Sequence, residues 1–236
     1  LSRCKSKKAI TLLRYLFFAR HKGPVPKDIL IELLWPESSS SQGDLNFRVT
    51  LSLLRKTLSI ISNGRNHFPN LLRKRDGYQL CLGKEGWSDV DEFNNQMNLA
   101  QYKEKKENSQ EAFQHYLNAE NLYQGDFLVE NLYEDWCHIE REHLKNQYLH
   151  ALTRIIDYYE EQHNLTEAIH YCYKILKVDP YRENIFRKLM QYHFELGNRK
   201  EVSSAFELCK NNIENDLGVA LSYETKEIYR KLSLSS

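Results

Sequence analysis

Long apolar runs, close cysteine pairs and catalytic signatures are all missing from this 236-residue chain, and each absence removes a class of function. No apolar stretch approaches the ~18 to 20 residues that a membrane-spanning helix needs, so the chain is expected to stay in water, away from any membrane. Arg3, Lys5, Lys7 and Lys8 break up the N-terminus where a secretory signal would carry its apolar core. With a first residue of Leu1, this reads as a cytoplasmic piece of something longer. Cys4, Cys81, Cys137, Cys172 and Cys209 lie too far apart for a zinc site or a dense disulfide framework. They are read as reduced and structural. There is no phosphate loop, dinucleotide-binding glycine motif or GxSxG turn, and His138 and His143 are spaced wrongly for an HExxH metal site. Neither an enzyme nor a bound cofactor or metal is expected.

What is present is a charge asymmetry that the overall net charge of +1 conceals. Residues 1–82 hold 15 basic and 5 acidic side chains, net +10; the remainder holds 18 basic and 27 acidic, net −9. A domain as basic as the first attracts phosphate polyanions, and the second is repelled by them. The length suits two domains, placed at 1–84 and 85–236.

In the basic half, Ile10, Leu13, Leu16 and Phe17 have the spacing of an amphipathic helix between Lys8 and Arg20. Pro24 and Pro26 reset the chain, and a second short helix spans Lys27 to Leu34, stopped by Trp35 and Pro36. The serine-rich stretch from Glu37 to Gly43 reads as a loop, with Asp44 as the N-cap of a third helix from Leu45 to about Ile61. Phe47, Leu51, Leu54 and Leu58 form its core stripe. Its other faces carry Asn46, Arg48, Val49, Thr50, Ser52, Arg55 and Lys56, a polar and cationic set suited to base edges and phosphates, with Val49 and Thr50 placed against thymine methyls, or Val49 instead inside. After the turn-rich Asn63 to Asn70, residues 71–82 read as a hairpin bent at Asp76 and Gly77, with Arg73, Lys74 and Arg75 around the bend.

Beyond Gly86 the pattern is helical throughout: Val90 to Glu104, Ser109 to Tyr123, then Leu132 to Gln162. A shift of 34 positions aligns Tyr158 with Tyr192, Asn164 with Asn198, Glu167 with Glu201 and Ala168 with Val202, and it pairs Leu152 with Phe186 and Ile155 with Leu189. That period is the one of tetratricopeptide helix pairs. Trp35 and Trp136 are read as core anchors, and packing between repeats accounts for most of the tyrosines, including Tyr148, Tyr158, Tyr159, Tyr171, Tyr173 and Tyr192.

Several short stretches, in this order, resemble the antibiotic-regulatory protein family of bacterial activators, which joins an OmpR-like winged helix to a bacterial transcriptional activation domain. They are Leu33 to Pro36, Leu51 to Lys56, Gly77 to Leu80, Asp89 to Phe93, Tyr123 to Leu128, Glu134 to Trp136 with Glu140 and Arg141, Asp179 to Glu183, Leu217 to Val219, and Glu224 with Thr225. The resemblance implies a mainly α fold: a winged helix-turn-helix with a small β wing, followed by an all-α tetratricopeptide-like domain. It implies a sequence-specific activator that binds double-stranded DNA, works with RNA polymerase, and associates with itself or with sensory parts of a longer polypeptide. The loop after Pro36 is either a connector or, as in OmpR-like regulators, the approach to RNA polymerase. Two residues depart from the pattern: Gln79 occupies a wing position that is often Arg and directed at the minor groove, and Leu53 replaces a frequently basic residue. The competing reading is a tetratricopeptide-type interaction scaffold that does not bind DNA.

Overall fold

A computed structural model of the chain describes residues 6–62, 69–83, 86–128 and 135–234. It separates into two compact units, residues 1–88 with 134–137, and residues 89–133 with 138–236.

The first unit opens with α1 (Lys7–Ala19), started by Ser6, whose hydroxyl accepts from the Ala9 N–H at 3.3 Å. α2 (Lys27–Leu34) keeps the expected bounds, following the φ-restricted Pro26 and ending at Trp35. α3 runs over Ser40–Ser62, so it starts five residues earlier than its composition suggests. Of the four consecutive serines, Ser40 and Ser41 lie in the helix instead of in a loop. Ser39 is the cap: its carbonyl accepts from Gly43 N–H at 2.8 Å and its hydroxyl faces Gln42 N–H at 3.4 Å. Asp44 is therefore not an N-cap; it lies inside the helix and pairs with Lys27 at 2.6 Å. The turn-rich stretch is described only at its end, since 63–68 lie outside the described residues.

The wing is β1 (Asn70–Lys74) antiparallel to β2 (Gly77–Cys81), with Lys74 opposite Gly77. The two linking residues are thus Arg75 and Asp76, one position earlier than Asp76 and Gly77. Gly77 has another task, with φ +151° and so little room that a Cβ would lie 2.1 Å from the Val25 carbonyl oxygen. That closeness lets Val25 and Tyr78 exchange two backbone hydrogen bonds of 2.8 Å, tying the wing to the segment between α1 and α2. Leu12, Leu16, Leu30, Leu34, Phe47, Leu54, Leu71 and Leu80 fill the core between helices and wing. Half-buried Trp35 packs against this core, and Trp136 has its ring 5.2 Å from Tyr15 and 5.4 Å from Phe18.

The second unit is all helical: α4 (Asp89–Lys105), α5 (Ser109–Leu122), the body of α6 (Asp135–Glu161), α7 (Leu165–Val178), α8 (Glu183–Glu195), α9 (Arg199–Lys210), a π turn (Asn211–Asp216) and α10 (Tyr223–Leu234). The stretch 129–134, where a helix start at Leu132 was expected, lies outside the described residues. The 34-residue correspondence holds in three dimensions. Leu152 and Phe186, Ile155 and Leu189, and Ala168 and Val202 are all buried, and Asn164 and Asn198 stand at the N-termini of α7 and α9. Each helix pair turns in the same way: a residue of positive φ (His163, Gly197) precedes the asparagine, whose N–H donates five residues back to the carbonyl of Tyr159 or His193. The same turn joins α4 to α5 at Glu107 and Asn108, whose N–H reaches the Lys103 carbonyl at 3.0 Å. This makes a third copy that the 34-residue shift does not find. Most of the tyrosines pack, as Tyr123 on Tyr148 (4.2 Å between ring centres) and Phe113 on Tyr158 (3.9 Å); Tyr173 and Tyr181 are exposed. Burial pushes the Cys172 and Cys209 thiols up to about 12, which leaves them protonated and inert.

Candidate nucleic-acid interface

The surface of interest is built on α3. Phe47, Leu51, Leu54 and Leu58 turn inward as their spacing requires, and the Phe47 ring meets Tyr78 of β2 edge-on at 5.3 Å. One turn before Phe47, Gly43 is buried where a Cβ would come within 2.7 Å of Ile31 on α2. An interior glycine costs a helix about 1 kcal/mol in propensity, and here it allows α3 to approach α2 closely. Gly43, Phe47 and the Lys27–Asp44 pair together set the pitch and height of the helix over its own unit.

With that stripe inward, Arg48, Val49, Ser52, Arg55 and Lys56 are exposed. Val49, at 55% exposure, points out and does not pack inside. Asn46 is half-buried, with its amide oxygen accepting from Gln42 at 3.0 Å. Thr50 is the exception among the sequence-selected set. At 5% exposure it lies in the seam of the helix, three residues after Phe47 and four before Leu54, and cannot reach a base. Arg73, Lys74 and Arg75 are exposed at the end of β1 and the tip of the hairpin. Gln79 does not extend outward like a groove-reading arginine. It donates to the Arg20 carbonyl at 3.0 Å and so caps the end of α1.

Electrostatics separate these side chains from others in the protein. Among the described residues, none of Arg48, Arg55, Lys56, Arg73, Lys74 and Arg75 has a carboxylate within ion-pair distance. In the same unit Lys27 is paired, with Asp44. Sequence reasoning missed two residues of the exposed face. Leu45 (56% exposed) and Leu53 (44%) lie on one row with Val49. The signal was available, because both stand four residues from Val49 and off the buried stripe.

Residues 88–233, well over half of the chain, match the family described as bacterial transcriptional activator domain. The chain belongs to that family. Inside the activator domain, several of the residues that carried the resemblance now have structural roles. Arg141, buried, donates from Nε to the Phe127 carbonyl at 3.0 Å and from Nη2 to the Leu128 carbonyl at 3.3 Å, holding Leu128 at φ 49°. The Glu183 carboxylate accepts from Ser222 Oγ and from Thr225 Oγ1, both at 2.6 Å, which anchors the start of α10 on α8. Partial burial works against ionisation of Glu183, but hydrogen bonds from Ser222 and Thr225, helped by Arg187, outweigh it and hold the carboxyl below its usual range.

The fold is also similar to that of Mycobacterium tuberculosis EmbR, solved in complex with a low affinity phosphopeptide. The two share 16% sequence identity and a TM-score of 0.72, over 98% of this chain and 60% of that one. The chain thus spans about three-fifths of the EmbR chain. No curated protein matches it at a significant level. Among the described residues, no helix is long and apolar enough to cross a membrane and no His, Cys, Asp and Glu cluster is arranged to hold a metal ion.

Proposed function

We propose that this transcriptional regulator is a sequence-specific DNA-binding activator of the antibiotic-regulatory type, whose first unit is an OmpR-like winged helix. α3 enters the major groove and presents Asn46, Arg48, Val49, Ser52, Arg55 and Lys56; Arg73, Lys74 and Arg75 of the wing touch the adjoining phosphates. Thr50 is not part of this set. The activator domain carries the protein contacts, with RNA polymerase, with a second copy or with sensory parts of a longer polypeptide, and its net −9 keeps it off the duplex.

The observation that carries the reading is the group of six exposed cations on one helix and one hairpin tip that have no carboxylate partner among the described residues. Unpaired cations give a surface a field that a polyanion can use, whereas paired ones are largely cancelled. The test is gel retardation of the protein's own promoter DNA by the whole chain and by an Arg48→Ala, Arg55→Ala, Lys56→Ala variant. All three residues are exposed, so the variant is expected to keep its fold, with thermal stability moved by no more than about 0.5 kcal/mol. Wild-type binding is expected to fall steeply with salt, and the variant to lose up to about 2 to 3 from the slope of log K against log salt. No retardation by the wild type at low salt would falsify the proposal and leave a scaffold that does not bind DNA.

A further inference from the structure

We propose that the bound DNA site contains a short thymine tract, read through its C5-methyl groups by Leu45, Val49 and Leu53 on α3; this rests on the DNA-binding reading above. The three side chains are 56%, 55% and 44% exposed and follow one another at intervals of four. Such residues form a continuous ridge on a helix, about 6 Å between neighbours along its axis. The adjacent row, also at intervals of four, is Arg48, Ser52 and Lys56, all exposed. The outward face therefore consists of an apolar ridge running beside a cationic one. The core is on the opposite side, at Phe47, Leu51, Leu54 and Leu58, so the ridge is not an edge of the packed interior.

A ridge of this kind is an odd feature on a surface built to meet a polyanion unless the polyanion offers something apolar. In the major groove that is the thymine methyl group. A C·G pair offers only donors and acceptors along the same edge, and covering these with leucine removes their water without replacing its hydrogen bonds. The ridge thus favours T·A pairs and penalises C·G pairs at the same positions, while Arg48 and Lys56 supply contacts to phosphates or guanine. The span from Leu45 to Leu53 is about 12 Å, close to that of three to four base steps at 3.4 Å each. Gln79 is turned back to the Arg20 carbonyl and does not project from the wing.

The experiment selects bound duplexes from a random pool with the whole chain, then replaces each thymine of the best site by deoxyuridine, which deletes the methyl group and leaves pairing unchanged. The expected result is a T-containing run of three or four positions, with affinity about fourfold weaker per contacted thymine, the equivalent of about 0.8 kcal/mol for one buried methyl. Putting 5-methylcytosine at a contacted position that carries cytosine should recover part of the loss. A Leu45→Ser, Val49→Ser, Leu53→Ser variant should bind thymine and deoxyuridine duplexes equally while keeping the wild-type salt slope. A tight, selective site indifferent to every deoxyuridine substitution overturns the inference and leaves the DNA-binding reading standing. Absence of binding to any duplex overturns both. If the serine variant instead converts a dimer to a monomer in sedimentation with deoxyuridine sensitivity unchanged, the ridge is a self-association face and the inference is wrong.

Discussion

The two units treat charge in opposite ways. In the helical unit, Lys103 pairs with Glu111, Arg154 with Glu104 and Asp157, Lys174 with Glu120, Arg182 with Asp179, Arg187 with Glu224, and Lys188 with Asp157 and Glu160. In the basic unit the cations of α3 and the wing have no such partners among the described residues. Exposed ion pairs add little to stability, about 0 to 1 kcal/mol each, so the difference is not one of how firmly each unit is held. It concerns where the field ends. Many cations of the helical unit are met by carboxylates of that unit, whereas among the described residues those of α3 and the wing are not. The units differ also in how they are secured: the first depends on single close approaches of backbone, the second on a turn used three times and on a partly buried polar anchor.

The largest effect expected from breaking this contrast lies at Gly77. Any side chain there meets the Val25 carbonyl at 2.1 Å and must also hold φ at +151°, so the two hydrogen bonds between Val25 and Tyr78 are lost or displaced. Gly77→Ala is expected to destabilise the basic unit by about 2 to 3 kcal/mol, from strain and lost backbone bonds together. Chemical denaturation followed by far-ultraviolet circular dichroism measures it. A loss under about 0.5 kcal/mol would show that the wing is not held through Val25.

A smaller effect belongs to the polar anchor in the helical unit. Glu183→Gln keeps the size of the side chain but removes the charge that Ser222 and Thr225 address, an expected cost of about 1 to 2 kcal/mol after allowing for partial exposure. The sign with pH follows from the lowered carboxyl. Its stabilisation is complete above the ordinary carboxylate range and is lost as the pH falls below about 4.5, because the unfolded state takes up the proton first. His193 acts in the same direction at higher pH. Burial, opposed by Glu201, lowers its pKa, so the folded form keeps it neutral and stability falls as the pH drops below about 6.5. Glu183→Gln should therefore flatten the stability profile below about pH 4.5 and leave the fall near pH 6 in place. A variant profile parallel to wild type throughout refutes the anchor.

Much of this architecture was legible from periodicity and chain breakers. The core stripe of α3 followed from spacing, because burial on one face is what spacing records; the bounds of α2 followed from Pro26, Trp35 and Pro36, and the hairpin from its turn residues. The start of α3 was obscured by Gly43 and the serines, which signal a loop locally. What overrides them is the contact of Gly43 with Ile31, a tertiary fact. Thr50 was misplaced because its polarity was weighed above its position three after Phe47 and four before Leu54. The third helix turn was hidden by an inserted stretch: Asn108 and Asn164 are 56 residues apart, not 34. Pairing of charges was illegible for a different reason. Arg154 and Glu104 are 50 residues apart in sequence and 2.6 Å apart in space, so a charge count states the field available but not which part of it is already used.

The smallest effects test whether the three turns are one device. All three need a left-handed residue before the asparagine, yet only Gly197 supplies the residue type that adopts it without strain; Glu107 (φ 57°) and His163 (φ 54°) do so with side chains attached. If the turns are equivalent, exchange of residue type should have opposite signs at different copies. His163→Gly is expected to stabilise the helical unit by up to about 1 kcal/mol, the left-handed penalty relieved less the extra chain entropy of glycine, and Gly197→Ala to destabilise it by about 1 kcal/mol. Asn164→Ala should cost about 1 kcal/mol, since its side chain accepts from Glu167 N–H. Asn198→Ala should cost less, because its side chain makes no such bond. Thermal melts of the four variants measure the set. Equal costs at Asn164 and Asn198, or a destabilising His163→Gly, would mean that the turns share a shape without sharing its energetic basis, and the helical unit would then be a less regular repeat than its backbone suggests.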